Sequence, residues 1–193
     1  MNTPLSHEGI KNLKLGDTVY LSGTIFIARD EAHLRALKFY EESKELPVDF
    51  NGGVIFHCGP IVRKEDKKIL AAGPTTSARM NSMEPKFIEL SGIKGIIGKG
   101  GMSKDTVEAM KKFGCVYFAF TGGAAVLAAK GLENVKDVFW LDLGMPEALW
   151  VVEANDFGPL VVAIDAYGNS IYDEVSKNVG KNIIDSKRIL GLE

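Results

Sequence analysis

Three short apolar runs in this chain each stop at a glycine corner. Gly53-Val-Ile-Phe-His-Cys58 ends at Gly59-Pro60, Gly95-Ile-Ile-Gly98 at Lys99-Gly100-Gly101, and Cys115 to Phe120 at Thr121-Gly122-Gly123. Continuous apolar runs this short read as strands covered on both faces. Helical patterns follow the last two corners. Ser103 caps one helix, with Asp105 in its first turn and Val107, Met110 and Phe113 inside. An Ala-rich helix runs to Lys130 after the other. Strand, corner and helix in repetition is an α/β rhythm.

The flanks differ from the middle. DTVYLSGTIFIARD is a strand in which Val19, Leu21, Ile25 and Ile27 alternate, with Gly23 as a bend or bulge. Asp30 caps the helix that follows, and His33, Ala36, Leu37 and Tyr40 recur at helical spacing before Pro47. A polar stretch from Arg63 to Lys68 leads to Ile69–Ala72, and a helix begins near Ser82 with Phe87, Ile88 and Leu90 inward. Val135–Leu141 is a further strand. LWVVEAN and PLVVAID are two more, joined by Asp156-Phe157-Gly158, and a last helix starts near Tyr172. Strand pairs at both ends, with alternation between them, predict an α/β domain of three layers with mixed sheets, residues 1–193 forming one domain.

Composition sets limits. The 25 acidic and 23 basic residues give a net charge of −2, which argues against nucleic acid or an anionic membrane as the main partner. The polar opening MNTPLSHEGIKNLKLGD is not read as a signal peptide, and no apolar run is long enough to span a bilayer, so a cytoplasmic location is expected. The only cysteines, Cys58 and Cys115, sit in apolar runs and read as buried thiols. Two thiolates cannot hold an iron–sulfur cluster that needs three or four, and no Cys or His spacing supports a zinc site in this chain. His33, His57, Trp140 and Trp150 read as core residues.

Three features at strand–helix junctions point to a small anion. They are Ala28-Arg29-Asp30, the loop GPTTSARM with Thr75, Thr76, Ser77 and Arg79, and Lys99 in GKGGMS. In parallel α/β layers such junctions gather at one sheet edge, where helix N-termini present free N–H groups. Guanidinium groups grip carboxylates through paired N–H donors, and lysine adds a compact charge, so the set suits a dicarboxylate. Each piece also has a plainer reading: an Arg29–Asp30 surface pair, a helix cap, a solvated turn lysine. GIIGKGG is not a P-loop, since the four-residue gap and the hydroxyl residue after lysine are missing. It resembles the glycine loop of KH RNA-binding domains, and the acidic balance of the chain weighs against that alternative.

Taken together, LKLGDTVYLSGTIFIARDEAH, GPTTSARM, GKGGM, FTGGAAVLAA and LGMPEALWVVEANDFGPLVVAIDAYGN resemble the β subunit, or C-terminal domain, of class I iron–sulfur fumarate hydratases and L-tartrate dehydratases. The segments occur in family order across nearly the whole chain. SAR stands where the single-chain members have AGR, and GKGG where they have KGN, which fits the separate-subunit branch.

The resemblance implies a swivelling β/β/α fold and a hydro-lyase that reversibly hydrates fumarate to L-malate, or alternatively dehydrates L-tartrate. It implies an α subunit carrying a [4Fe-4S] cluster on three cysteines, in a hetero-oligomer with two-fold symmetry, with the active site between the two parts. This chain would hold no metal. It would supply Arg29, Thr75, Arg79 and Lys99 to bind a C4 dicarboxylate, with Thr75 and Lys99 catalytic and Thr75 moving the proton. A threonine hydroxyl is a weak base and would need a carboxylate partner, expected from the α subunit. Position in the motif favours Thr75, although residue type alone does not separate it from Thr76 or Ser77.

Overall fold

Neighbouring residues of the central strands enter different apolar cores. Val54 and Phe56 pack in one and Ile55 in the other, and Val116 and Phe118 are divided from Tyr117 in the same way. That is the two-residue period of a strand buried on both faces. The computed structural model describes residues 1–192. In chain order its elements are α1 (His7–Lys11), β1 (Thr18–Ala28), α2 (Asp30–Glu41), β2 (Val54–His57), β3 (Ile61–Val62), β4 (Ile69–Ala71), α3 (Glu84–Ser91), β5 (Gly95–Gly98), α4 (Lys104–Phe113), β6 (Val116–Ala119), α5 (Ala125–Lys130), β7 (Leu132–Phe139), β8 (Leu149–Ile164) and α6 (Ile171–Ile189). A 3-10 turn at Ser77–Met80 precedes α3.

Strands β1, β2, β5 and β6 lie side by side and parallel. Strand β8 runs antiparallel to β6 and also to β1, so the order β1-β2-β5-β6-β8 returns to its start. The sheet closes as a five-stranded barrel, with β7 paired to the first half of β8. The mixed α/β character matches the sequence reading, but the three-layer β/β/α arrangement is replaced by this closed sheet. The cause is β8 itself. LWVVEAN and PLVVAID are one strand of 16 residues rather than two. Its first half lies between β1 and β7, and its second half reaches β6 while still paired to β1.

A bulge makes that path possible. Between Leu21↔Phe157 and Gly23↔Ala154 the register shifts by one extra residue on β8. Asp156 takes a left-handed conformation there (φ 46°), tolerable for aspartate, and its N–H donates to Ser22 Oγ at 3.0 Å. Gly23 is required opposite, at φ 104°, because a Cβ would strike Thr3.

Inside the barrel Phe56, Phe120 and Phe157 pack edge-on or tilted, with centroids 5.4–6.2 Å apart. Outside it, Ala32 and Ala36 of α2, Phe87 and Ile88 of α3, and Val107 and Met110 of α4 cover the sheet. Other details depart from expectation. Leu90 is exposed at 36%, and Trp140 is half-buried against Phe39, whereas Trp150 lies in the core. The cap of α2 is Arg29, with Asp30 as the first helical residue. No helix among the described residues is long and apolar enough to cross a membrane.

Phe157 is 1% exposed and fills the barrel centre. Phe157→Ala is expected to lower unfolding stability by about 3–5 kcal/mol, measured by denaturant titration with the slope unchanged.

Candidate active site

The carboxyl ends of the four parallel strands share one edge of the barrel. Arg29 follows β1, Cys58 follows β2, Lys99 follows β5, and the Thr121-Gly122-Gly123 corner lies just beyond β6. The loop after β4 is laced to this edge by backbone contacts. Cys58 bridges Pro74, Thr75 N–H donates to His57 O at 2.8 Å, Thr76 bridges Lys99, and Ser77 N–H donates to Lys99 O at 3.0 Å. Gly98 has no room for a side chain, because a Cβ would meet the Ser77 hydroxyl.

Asp30 joins the two arginines. Its Oδ2 accepts from Arg29 Nε at 3.2 Å and its Oδ1 from Arg79 Nε at 3.0 Å. Glu147, from the LGMPEALW segment, adds Oε1 at 2.8 Å from Arg29 Nε. The Arg29 Nη1 edge passes over Gly59, where a Cβ would lie 3.2 Å from it. Lys99 reaches toward the next corner, with Nζ 3.4 Å from where Gly122 would carry a Cβ. The surface-pair reading of Arg29 with Asp30 is therefore correct as far as it goes. These carboxylate contacts run through Nε, and a guanidinium has four further N–H donors with which to meet an anion. Burial alone would raise the Asp30 carboxyl. Its own backbone N–H, Arg79 and Arg29 outweigh that and hold it below the usual aspartate range.

The hydroxyls separate by environment. Ser77 is fully buried, with Oγ 3.0 Å from His57 Nδ1 and accepting from Tyr117 Oη at 3.0 Å. Thr75 is half-buried and Thr76 exposed. Below them lies a feature that sequence reasoning missed. His33 and His57 are core histidines, as expected, but both face the buried carboxylate of Glu84, at 3.6 and 3.2 Å from Oε2. Burial would raise Glu84, and its closeness to His57 and His33 outweighs this and holds it below the ordinary glutamate range. Burial pushes His33 below its ordinary value, against the pull of Glu84. Nothing in the sequence flags Glu84, which stands beside Pro85 as an ordinary acidic residue at a helix start.

The Fumarase C-terminus family matches residues 1–175. The chain belongs to that family. Similar proteins include one provisionally named L(+)-tartrate dehydratase subunit beta in Methanocaldococcus jannaschii, 49% identical over 178 residues and 91% of each chain. The L(+)-tartrate dehydratase subunit beta of Escherichia coli is 45% identical, over 92% of this chain and 88% of its own length. A protein provisionally named fumarate hydratase class I, from Geobacillus stearothermophilus, is 38% identical over 92% of this chain but only 34% of its own length.

The two thiols of this Fumarase C-terminus member are buried apart. Both cysteines are 0% exposed, and burial pushes the Cys58 thiol up to about 12 and that of Cys115 upward as well. They pack in separate cores.

A carboxyl held below its unfolded value adds stability above that value and loses it as pH falls through the folded one. Asp30→Asn is expected to lower stability near neutral pH by about 0.5–1 kcal/mol. The gap should close as pH drops below the aspartate range, read from melting temperatures across an acid series.

Proposed function

We propose that the chain is the β subunit of a two-part hydro-lyase acting on a C4 dicarboxylate, with fumarate and L-malate as the pair it interconverts. The observation that carries this is the cationic edge. Arg29 and Arg79 converge on one carboxylate, Asp30, while Lys99 is tied to the adjoining Thr75–Ser77 loop. Three cations stand against Asp30 and Glu147, so a small dianion finds charge and donors without a basic protein surface. L-tartrate is the second reading, favoured by the names of the relatives at 49% and 45% identity.

Dehydration takes a proton from the carbon next to one carboxylate and expels hydroxide from its neighbour, leaving a double bond. Negative charge grows on that carboxylate, and preorganised donors at Arg29, Arg79 and Lys99 would stabilise it there. Ser77 is occupied by His57 and Tyr117, which leaves Thr75 and Thr76 as candidates to move the proton. Thr75 is assigned the role: it is half-buried, and its N–H is fixed to His57. A carboxylate from the α subunit would take the proton onward.

The iron–sulfur cluster belongs to that α subunit in this reading, because the two cysteines here do not suit it. When bound in the partner, it would supply a Lewis acid for the departing oxygen. A hetero-oligomer with two-fold symmetry and a cytoplasmic location complete the proposal.

Anaerobic reconstitution with the α subunit tests it. The pair is expected to turn over fumarate and L-malate, and this chain alone to be inactive. Turnover of neither fumarate nor L-tartrate would reject the enzyme class, and salt-sensitive RNA retention on filters would support the KH-like alternative instead. Arg79→Ala is expected to cut turnover about 10²–10³-fold. Thr75→Ala should abolish what Thr75→Ser retains, while Thr76→Ala stays near the unsubstituted rate.

A further inference from the structure

Glu84 is 0% exposed and lies one layer beneath the cationic edge. The carbonyl of Arg29 can only accept, so the 2.9 Å contact with His33 Nδ1 requires the ring proton on Nδ1. His33 Nε2 then faces Glu84 Oε2 at 3.6 Å, lone pair toward carboxylate unless a second proton lies between them. His57 is oriented from its other side. The Tyr117 hydroxyl donates to Ser77 Oγ, Ser77 can donate to His57 Nδ1 at 3.0 Å, and His57 Nε2 then carries a proton toward the same Glu84 oxygen at 3.2 Å. An unshared carboxylate in a dry interior is untenable. Both Glu84 oxygens and both Nε2 atoms lack a hydrogen bond, so the cluster calls for one proton beyond those of two neutral rings, held among Glu84 and the imidazoles.

The two arms of the cluster end on different parts of the proposed site. Through His33 it reaches the backbone of Arg29. Through His57 it reaches Ser77 Oγ, and the His57 carbonyl accepts from Thr75 N–H at 2.8 Å. The loop from Thr75 to Arg79 and the end of β1 come from distant parts of the chain, and Glu84 faces both histidines.

We propose that Glu84 is a positioning residue: through His33 and His57 it sets the spacing between Arg29 and the Thr75–Arg79 loop, and so the distance between the groups that grip the two ends of the dicarboxylate. This rests on the hydro-lyase reading of the edge above it. Glu84 itself touches no substrate.

The test uses the reconstituted α–β enzyme and steady-state kinetics with fumarate and L-tartrate. His33→Leu keeps bulk and removes the Nδ1 donor. His33→Asn places an amide N–H where Nδ1 stood and restores the bond to Arg29. A misplacement of about 1 Å can cost ~10²-fold. His33→Leu and Glu84→Leu are therefore expected to lower kcat/KM by about 10–10²-fold, chiefly through KM, with His33→Asn recovering most of the loss. Circular dichroism checks folding. Equal kcat/KM for folded His33→Leu and the unsubstituted enzyme overturns the proposal, as does an Asn variant no better than Leu. If the leucine variants do not fold, nitrogen-15 spectra of the histidine rings in the unsubstituted chain decide. A proton on His33 Nδ1 and one on His57 Nε2, both altered in Glu84→Gln, support it; His33 without a proton on Nδ1 overturns it. The three groups lie within 4.8 Å of one another, close enough to share an ion. One equivalent of tightly bound divalent metal, lost in Glu84→Gln, would therefore also overturn the shared-proton account. An unsubstituted α–β pair inactive on both substrates rejects the hydro-lyase reading, and the ring spectra still judge the network by themselves.

Discussion

Hydrogen bonding along both edges of β8 governs this molecule. A strand of 16 residues exposes two long rows of N–H and C=O groups, and left open they would template pairing with other chains. Here β1 takes one edge over most of the length, and β7 and then β6 take the other. Because β1 and β6 are the outer members of a parallel set, one strand bonding both must curl the sheet shut. The bulge at Asp156 supplies the bend. The carboxyl ends of β1, β2, β5 and β6 share one rim because these strands are neighbours and parallel.

The rim is held by charge and backbone together. Asp30 draws two guanidiniums toward each other, and Glu147 steadies one of them from the far end of the chain. Thr75 to Ser77, ahead of Arg79 in the same loop, carry no charge. Their position comes from strand-like pairing with Cys58 and Lys99, under which Gly98 leaves space for Ser77. Beneath, a carboxylate between two imidazoles ties both parts to the outer core. Polar groups so deep are costly unless they share a proton or a partner, which is why the two imidazoles and the carboxylate stand together.

Much of this was legible in the residues. The short apolar runs ending at glycines marked the parallel strands, and Ser103 stands at its helix end as its chemistry demands. The cationic residues at strand ends were visible as types and spacings. Barrel closure was not, because periodicity reports which faces of a strand are covered and never which strand lies on its edge. LWVVEAN and PLVVAID looked like two strands for a related reason: Asp156 and Gly158 read as a turn, and only pairing across to Ser22 and Leu21 shows the segment passing through as a bulge. Asp30 was read as a cap, whereas its carboxylate serves the arginines.

By itself, then, the amino-acid order determined most strand and helix segments, the burial of Cys58, Cys115, His33 and His57, and the placing of Arg29, Thr75, Arg79 and Lys99 in the segments between strands and helices. Those are local matters, set by hydrophobic period, turn chemistry and side-chain type within a few residues. The tertiary structure decided that the sheet closes, that Asp30 and Glu147 hold Arg29 while Asp30 alone meets Arg79, that Ser77 is occupied while Thr75 stays accessible, and that Glu84 lies between the two histidines. Each of these depends on groups tens of residues apart coming within hydrogen-bonding or charge-pairing distance, and no short-range pattern encodes such a distance.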